Sequence, residues 1–490
     1  MVFSSVVFLC IFLPAVLLGY YVLPKKARNI WLLVASLGFY AWAGPKHLIY
    51  LLLSILFNYF AAMVVVKLAD KNSPCDERGM YLSHPRAQKI VLALAVIINR
   101  ASLLYFKYTG MLIETYNGIL GKSVEVPDII LPIGISFYTF QCMSYIIDAY
   151  RTGQFTNDPV KFALYISMFP QLLQGPIIRF GEVRKTLDAP VITADGFSRG
   201  LERFIVGLAK KVIIADTLGE VADRIFAIDT AYLSTSIAWL GAILYTLQIF
   251  FDFAGYTDMA IGLGKLFGFS FRENFDHPYI SRSVTEFWRR WHISLSNWFR
   301  DYLYIPLGGN RRGNVYVNLL IVFLATGIWH GAAWGFVVWG LWHGLFMLIE
   351  RFLRNKRMIA IPAILSSFLK WAYTMLAVTL GWVLFKIEDI QEALSYISVM
   401  FGAEKHDYNA FSLGFFLDRR IGFYLFIAIL ACIPWAQVMP RHIGSRIAAF
   451  TDSSKGAWCI ARYACLLVLL IVSFVFTVNS TYSPFIYFQF

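Results

Sequence analysis

The pentapeptide Gly-x-Trp-His-Gly occurs twice within "TGIWHGAAWGFVVWGLWHG", residues 326–344, first around His330 and again around His343. An ionisable side chain in so apolar a run is costly and by default faces a cavity. Burial disfavours the charged imidazole. A neutral ring can take a proton from a hydroxyl, which is general-base chemistry. The plainer alternative is that both rings are packed and hydrogen-bonded, with Trp329 and its neighbours forming an interfacial belt.

A third histidine, His292, lies in "VTEFWRRWHISLSNWFRDYLYIPLGGNRRGN", 284–314. Phe287, Trp288, Trp291, Leu295, Trp298 and Phe299 fall on one apolar helical face, with Arg289, Arg290 and Arg300 between them. This pattern suits an interfacial helix with snorkelling arginines. It equally suits a cytoplasmic mouth that offers guanidinium groups to phosphates. "GGNRRG", 308–313, is a weak phosphate loop, and "GLGKLFG", 262–268, does not fit the dinucleotide fingerprint. The other five histidines, His47, His84, His277, His406 and His442, fall in loops or at span ends.

What must position His330 and His343 is a break. As one helix, 315–350 would run about 54 Å, against a hydrocarbon core of about 30 Å. "GAAWG", 331–335, is the place for the break, and basic residues flank both ends: Arg311 and Arg312 before, Arg351, Arg354, Lys356 and Arg357 after. The segment reads as a hairpin with both ends in the cytoplasm and His330 at its tip. In an unbroken helix the two histidines would point about 140° apart; only a turn between them lets them face one cavity. Gly327, Gly331, Gly335, Gly340 and Gly344 suit close contact between the arms.

The whole chain has the composition of a membrane protein. Its 490 residues are 58% hydrophobic and only 15% charged, too little charge to cover soluble domains. Apolar runs at 2–23, 29–43, 47–66, 90–106, 129–147, 231–253, 315–330, 335–349, 366–386, 421–437 and 463–479 predict an all-α, polytopic integral membrane protein. Nine to eleven crossings are expected, with re-entrant and interfacial helices, in a single domain over 1–490. The first run has no basic n-region and no evident cleavage site, so it is expected to be a span with its N-terminus outside. The net charge of +13 comes from clusters at Lys25–Arg28, Lys67–Lys89, Arg289–Arg312, Arg351–Arg357 and Arg441–Arg446. That is the positive-inside pattern, and no basic soluble module suits nucleic acid. The six cysteines, Cys10, Cys75, Cys142, Cys432, Cys459 and Cys465, include no Cys-x-x-Cys pair, so no metal site or disulfide framework is implied.

Three regions are not plain spans: a polar cytoplasmic loop at 67–89, an amphipathic stretch at 195–228 with the pattern of a membrane-surface helix, and 272–314, dense in Arg and Trp; 272–350, which holds the three histidines, is the expected catalytic core region. "LPIGISFYTFQ", 131–141, and "FPQLLQGPIIRF", 169–180, are broken by Pro and Gly. Broken backbone at membrane depth lines protein or a cavity; these are kinked spans or the wall of an internal chamber.

"EFWRRWHISLSNWFRDYLYIPLGGNR", 286–311, followed by "GIWHGAAWGFVVWGLWHG", 327–344, resembles the membrane-bound O-acyltransferase family, in particular its branch of bacterial polysaccharide O-acetylation subunits. The broken segments and the C-terminal "SPFIYFQF", 483–490, resemble that branch too, whereas Asp276 and His277 in "ENFDHPY" depart from it. The resemblance implies many helices around a central tunnel in a bacterial inner membrane. It places the family's invariant histidine at His330 and a second active-site histidine, on the donor side, at His292. His343, Trp329 and Trp291 become supporting or tunnel-lining residues, and Arg289, Arg290 and Arg300 candidates for binding the donor. The implied donor is a cytoplasmic thioester, acetyl-CoA or another, with no permanently bound cofactor or metal. The implied partners are an external acetyltransferase-like protein and an exopolysaccharide synthesis complex. For the oxyanion of the transfer step, His292, Ser294 and Ser296 are the candidate donors. D-alanyl, lipid or protein acylation, and transport by broken helices with midplane histidines, are the alternatives.

Overall fold

A computed structural model describes residues 1–42, 44–69, 75, 79–81, 83–353, 363–403, 411–438 and 455–480. Among them the regular structure is helical, apart from one isolated bridge between Cys75 and Tyr81. Among the described residues, six helices are long and apolar enough to cross a membrane: Pro45–Lys67, Arg86–Leu120, Thr235–Leu266, Trp334–Leu353, Leu365–Lys386 and Gly456–Asn479. Two shorter apolar helices, Phe8–Val22 and Val315–His330, accompany them. The chain is an all-α, polytopic membrane protein, as its composition predicts. Residues 70–74, 76–78 and 82 of the 67–89 loop, Arg354, Lys356, Arg357, His406, the 441–446 cluster with His442, and 483–490 lie outside the described residues.

The chain divides into two compact units, residues 1–201 with 260–272, and residues 202–259 with 273–490. In the first, the two broken segments meet. Gly134 adopts a left-handed φ of 73° at the N-cap of the helix Ile135–Thr152, and a Cβ there would lie 2.9 Å from the Leu172 carbonyl. The chain then breaks after the single turn Phe169–Leu172. At Gly175 a Cβ would strike the Gln171 backbone, which is why the turn takes glycine. Phe169 anchors this corner, its ring 5.4–6.3 Å from those of Phe3, Phe8, Phe12, Phe39 and Phe267.

The stretch 195–228, expected on a membrane surface, is helical over 194–226 with a π turn at Lys210–Ala215. Three of its basic residues, Arg203, Lys210 and Lys211, turn to partners that periodicity could not reveal. Lys211 is 1% exposed and sits 2.7 Å from Asp216 and 2.6 Å from Asp252. Lys210 and Arg203 both pair with Asp258, at 2.7 and 2.6 Å. Asp252 and Asp258 belong to the helix Thr235–Leu266, so two carboxylates on an otherwise apolar span hold the charged helix. Burial pushes the Asp216 carboxyl up to about 7; the neighbouring Asp252 adds to this, and Lys211 opposes it.

Candidate active site

The hairpin forms where the sequence places it. Its first arm, Val315–His330, is capped by Asn314, whose side chain accepts from the backbone N–H groups of Tyr316 and Val317. The second arm is Trp334–Leu353. The arms approach backbone to backbone at glycines: a Cβ at Gly327 would strike the Phe336 carbonyl, and one at Gly340 the Phe323 carbonyl. At the break, a Cβ at Gly331 would collide with the Phe336 ring.

This closeness brings both His330 and His343 against Trp339. The Trp339 ring lies 4.8 Å from His330 and 5.2 Å from His343. His330 also meets Trp329 and Phe385, at 4.9 and 5.3 Å. His343 meets Trp288, at 5.3 Å, and Trp382, at 6.3 Å. All three histidines are buried, and Trp329 links His330 to His292, its ring 6.1 Å from the latter.

The cluster is aromatic, but its buried polar atoms are not all satisfied. Trp342 and Trp371 donate their indole N–H groups to the carbonyls of Ala377 and Tyr279. The buried indole N–H groups of Trp288, Trp339 and Trp382, and both ring nitrogens of His343, have no hydrogen-bond partner among the described residues. Buried polar atoms are normally satisfied, and exceptions mark functional or ligand-binding positions.

His292 is reached differently. The expected continuous helix through 286–299 breaks at this residue, between the helices Val284–Arg290 and Ile293–Phe299. His292 adopts φ 43° and ψ 54°, an uncommon left-handed conformation for a residue with a Cβ. Asn274 imposes the break: its carbonyl accepts from Ile293 N–H at 2.9 Å, and its side chain accepts from Ser294 N–H at 3.1 Å. Glu350, on the second hairpin arm, secures the start of this segment by accepting from the N–H groups of Val284 and Thr285, an anion at a helix N-terminus.

The remaining sequence candidates divide. Trp291 is buried against Trp382, ring centroids 4.8 Å apart. The Ser294 hydroxyl donates to Asn274 Oδ1 at 2.9 Å and the Ser296 hydroxyl to the Trp288 carbonyl at 3.2 Å, so both are already engaged. Arg290 pairs with Glu286 and Asp276, and Arg300 with Asp301. Arg289 is exposed and makes no ion pair among the described residues. Sequence reasoning missed Asn274, Trp339, Trp382 and Glu350. The first is 18 residues from the histidine it holds, and the tryptophans read as ordinary span residues.

The chain matches the model of the MBOAT, membrane-bound O-acyltransferase, family over residues 123–387. It is 41% identical to the probable alginate O-acetylase AlgI of Pseudomonas putida over 504 residues, all of both chains. It is 34% identical to the peptidoglycan O-acetyltransferase of Helicobacter pylori, over 100% of this chain and 98% of that protein. With the teichoic acid D-alanyltransferase of Bacillus subtilis it shares 32% identity over 47% of this chain and 62% of that one. The matched family region contains His292 and His330.

Proposed function

The chain belongs to the membrane-bound O-acyltransferase family and is an acyltransferase of the alginate O-acetylase type; from that premise we propose that it carries acetyl groups from cytoplasmic acetyl-CoA to an exported polysaccharide such as alginate. The bacterial inner membrane is the site, with the basic clusters inside and the N-terminus outside, and an external acetyltransferase-like protein completes the transfer within a synthesis complex. Family membership sets the transport alternative aside.

In the proposed chemistry, His330 takes the proton of an acceptor hydroxyl as its oxygen attacks the thioester carbonyl. The tetrahedral intermediate collapses, the C–S bond breaks, and the proton passes to the departing thiolate. A donor beside His330 must meet the oxyanion. The Trp339 indole N–H fits that part: it is buried, has no hydrogen-bond partner among the described residues, and belongs to a ring 4.8 Å from His330. His292 serves the donor side. The observation that carries this reading is the burial of His330 and His292 in one aromatic cluster, joined through Trp329.

Acyl transfer from a carrier protein is the variant that the likeness to the D-alanyltransferase supports. Full-length protein in nanodiscs, offered labelled acetyl-CoA and labelled acetyl-carrier protein in turn, separates the two. Label transferred from acetyl-CoA is expected; transfer only from the carrier protein overturns the proposed donor.

A further inference from the structure

The hydrogen bonds around His292 fix its tautomer. The Ser294 backbone N–H can only donate, so the Asn274 side-chain atom it meets at 3.1 Å is the carbonyl oxygen Oδ1. The same oxygen faces His292 Nδ1 at 3.2 Å. A carbonyl oxygen cannot donate, so Nδ1 carries the proton. His292 lies outside the candidate spans, and burial pushes its imidazole down to about 3, so the ring is neutral. A neutral imidazole has one N–H and one lone pair, which leaves the lone pair on Nε2.

Nε2 is buried and has no hydrogen-bond partner among the described residues, and the same holds for the amide Nδ2 of Asn274. Both residues are fully buried. The rings against His292 are Phe253, at 4.8 Å, and Trp329, at 6.1 Å, both uncharged. Two side chains bonded to each other thus present one open acceptor and one open donor. Their complement is a secondary amide, whose N–H would meet Nε2 and whose C=O would meet Nδ2. A carboxylate or phosphate would leave Nε2 unanswered. With Nε2 an acceptor, His292 does not supply an oxyanion donor.

We propose that His292 and Asn274 form an amide-reading pair that binds the pantetheine arm of the thioester donor, with Asn274 also the positioning residue that sets the histidine tautomer. This rests on the acyl-transfer reading above. The arm is common to coenzyme A and acyl carrier proteins, so the pair reads the arm and not the group beyond it.

The test uses full-length protein in nanodiscs and two non-transferable thioethers: S-alkyl coenzyme A, and its counterpart with the amide nearest sulfur replaced by methylenes. Wild type should prefer the amide-bearing analogue by about 10- to 100-fold, the effect of leaving buried polar groups unmatched. Asn274→Asp keeps the oxygen that accepts from Ser294 and His292 but removes the N–H donor, and should erase most of that preference while the amide-free analogue binds as before. No preference in wild type, or an undiminished one in Asn274→Asp, overturns the pair. If neither analogue binds while an acyl carrier protein does, the coenzyme A reading fails; the pair is then tested with amide-bearing and amide-free pantetheine carriers in the same two proteins. Should the variant not fold, 15N-histidine NMR of the wild type decides: an unprotonated Nε2 that shifts on adding S-alkyl coenzyme A supports the pair. A protonated Nε2, or one indifferent to the ligand, overturns it.

Discussion

His330 and Trp339 stand on opposite arms of one hairpin, yet their rings meet at right angles with centroids 4.8 Å apart. The contact exists because the arms close on glycine at Gly327 and Gly340, leaving no side chain between the backbones. The same indole also meets His343, centroids 5.2 Å apart. The two pentapeptides are therefore unequal: the first puts its histidine at the end of a helix, the second inside one.

If the Trp339 N–H meets the oxyanion, Trp339→Phe should lower kcat by about 10²–10³-fold with little change in KM for the thioester. Trp342→Phe is the control, since that indole donates to the Ala377 carbonyl and faces no histidine in this way. Steady-state release of free thiol by both variants is the measurement. Equal, small effects would remove Trp339 from the chemistry.

The hairpin's closure predicts a stability effect with a clear cause. Gly340→Ala would push a methyl into the Phe323 carbonyl and against Gly327. Forced overpacking of this kind costs about 1–3 kcal/mol. The unfolding midpoint in detergent should fall, and activity should fall with it because His330 and Trp339 separate. Gly422→Ala, with nothing within 4 Å of the added Cβ, should be far milder.

The buried Lys211 cluster predicts a pH dependence. One lysine faces two carboxylates. Asp216 has a folded pKa raised to about 7 by burial, above the unfolded value of about 3.9. Between those values the folded state holds a proton that the unfolded state has lost. This contribution is full below the unfolded value and is lost as pH rises through the folded one. Melting in detergent should be later near pH 5 than near pH 8, and Asp216→Asn should flatten that slope. Lys211→Met removes the buried cation that both carboxylates face and should cost about 3–5 kcal/mol.

Much of this was legible in the sequence. The helical class follows from the apolar runs, and the hairpin from a stretch too long for the membrane with basic residues at both ends. The break at 331–333 follows from its glycines, and the closeness of the arms from the Gly327 and Gly340 spacing. What stayed hidden involves partners distant in sequence. Asn274 breaks a helix that periodicity drew as continuous through His292. Asp252 and Asp258 pull Lys211, Lys210 and Arg203 inward from a helix that looked like a surface element. Helix ends also differ from the apolar runs: 90–106 became Arg86–Leu120, longer at both ends, and 129–147 became Ile135–Thr152, starting later, after Gly134, and ending later. Hydropathy sees only the apolar middle of such helices.

In the proposed mechanism His330 is the base. The most direct test is transfer of labelled acetyl groups from acetyl-CoA by His330→Ala and His343→Ala proteins, each first shown to be folded and inserted. The account predicts that His330→Ala loses about 10²–10⁴-fold in rate, while His343→Ala keeps clearly more activity. Transfer by folded His330→Ala near the wild-type rate would contradict it.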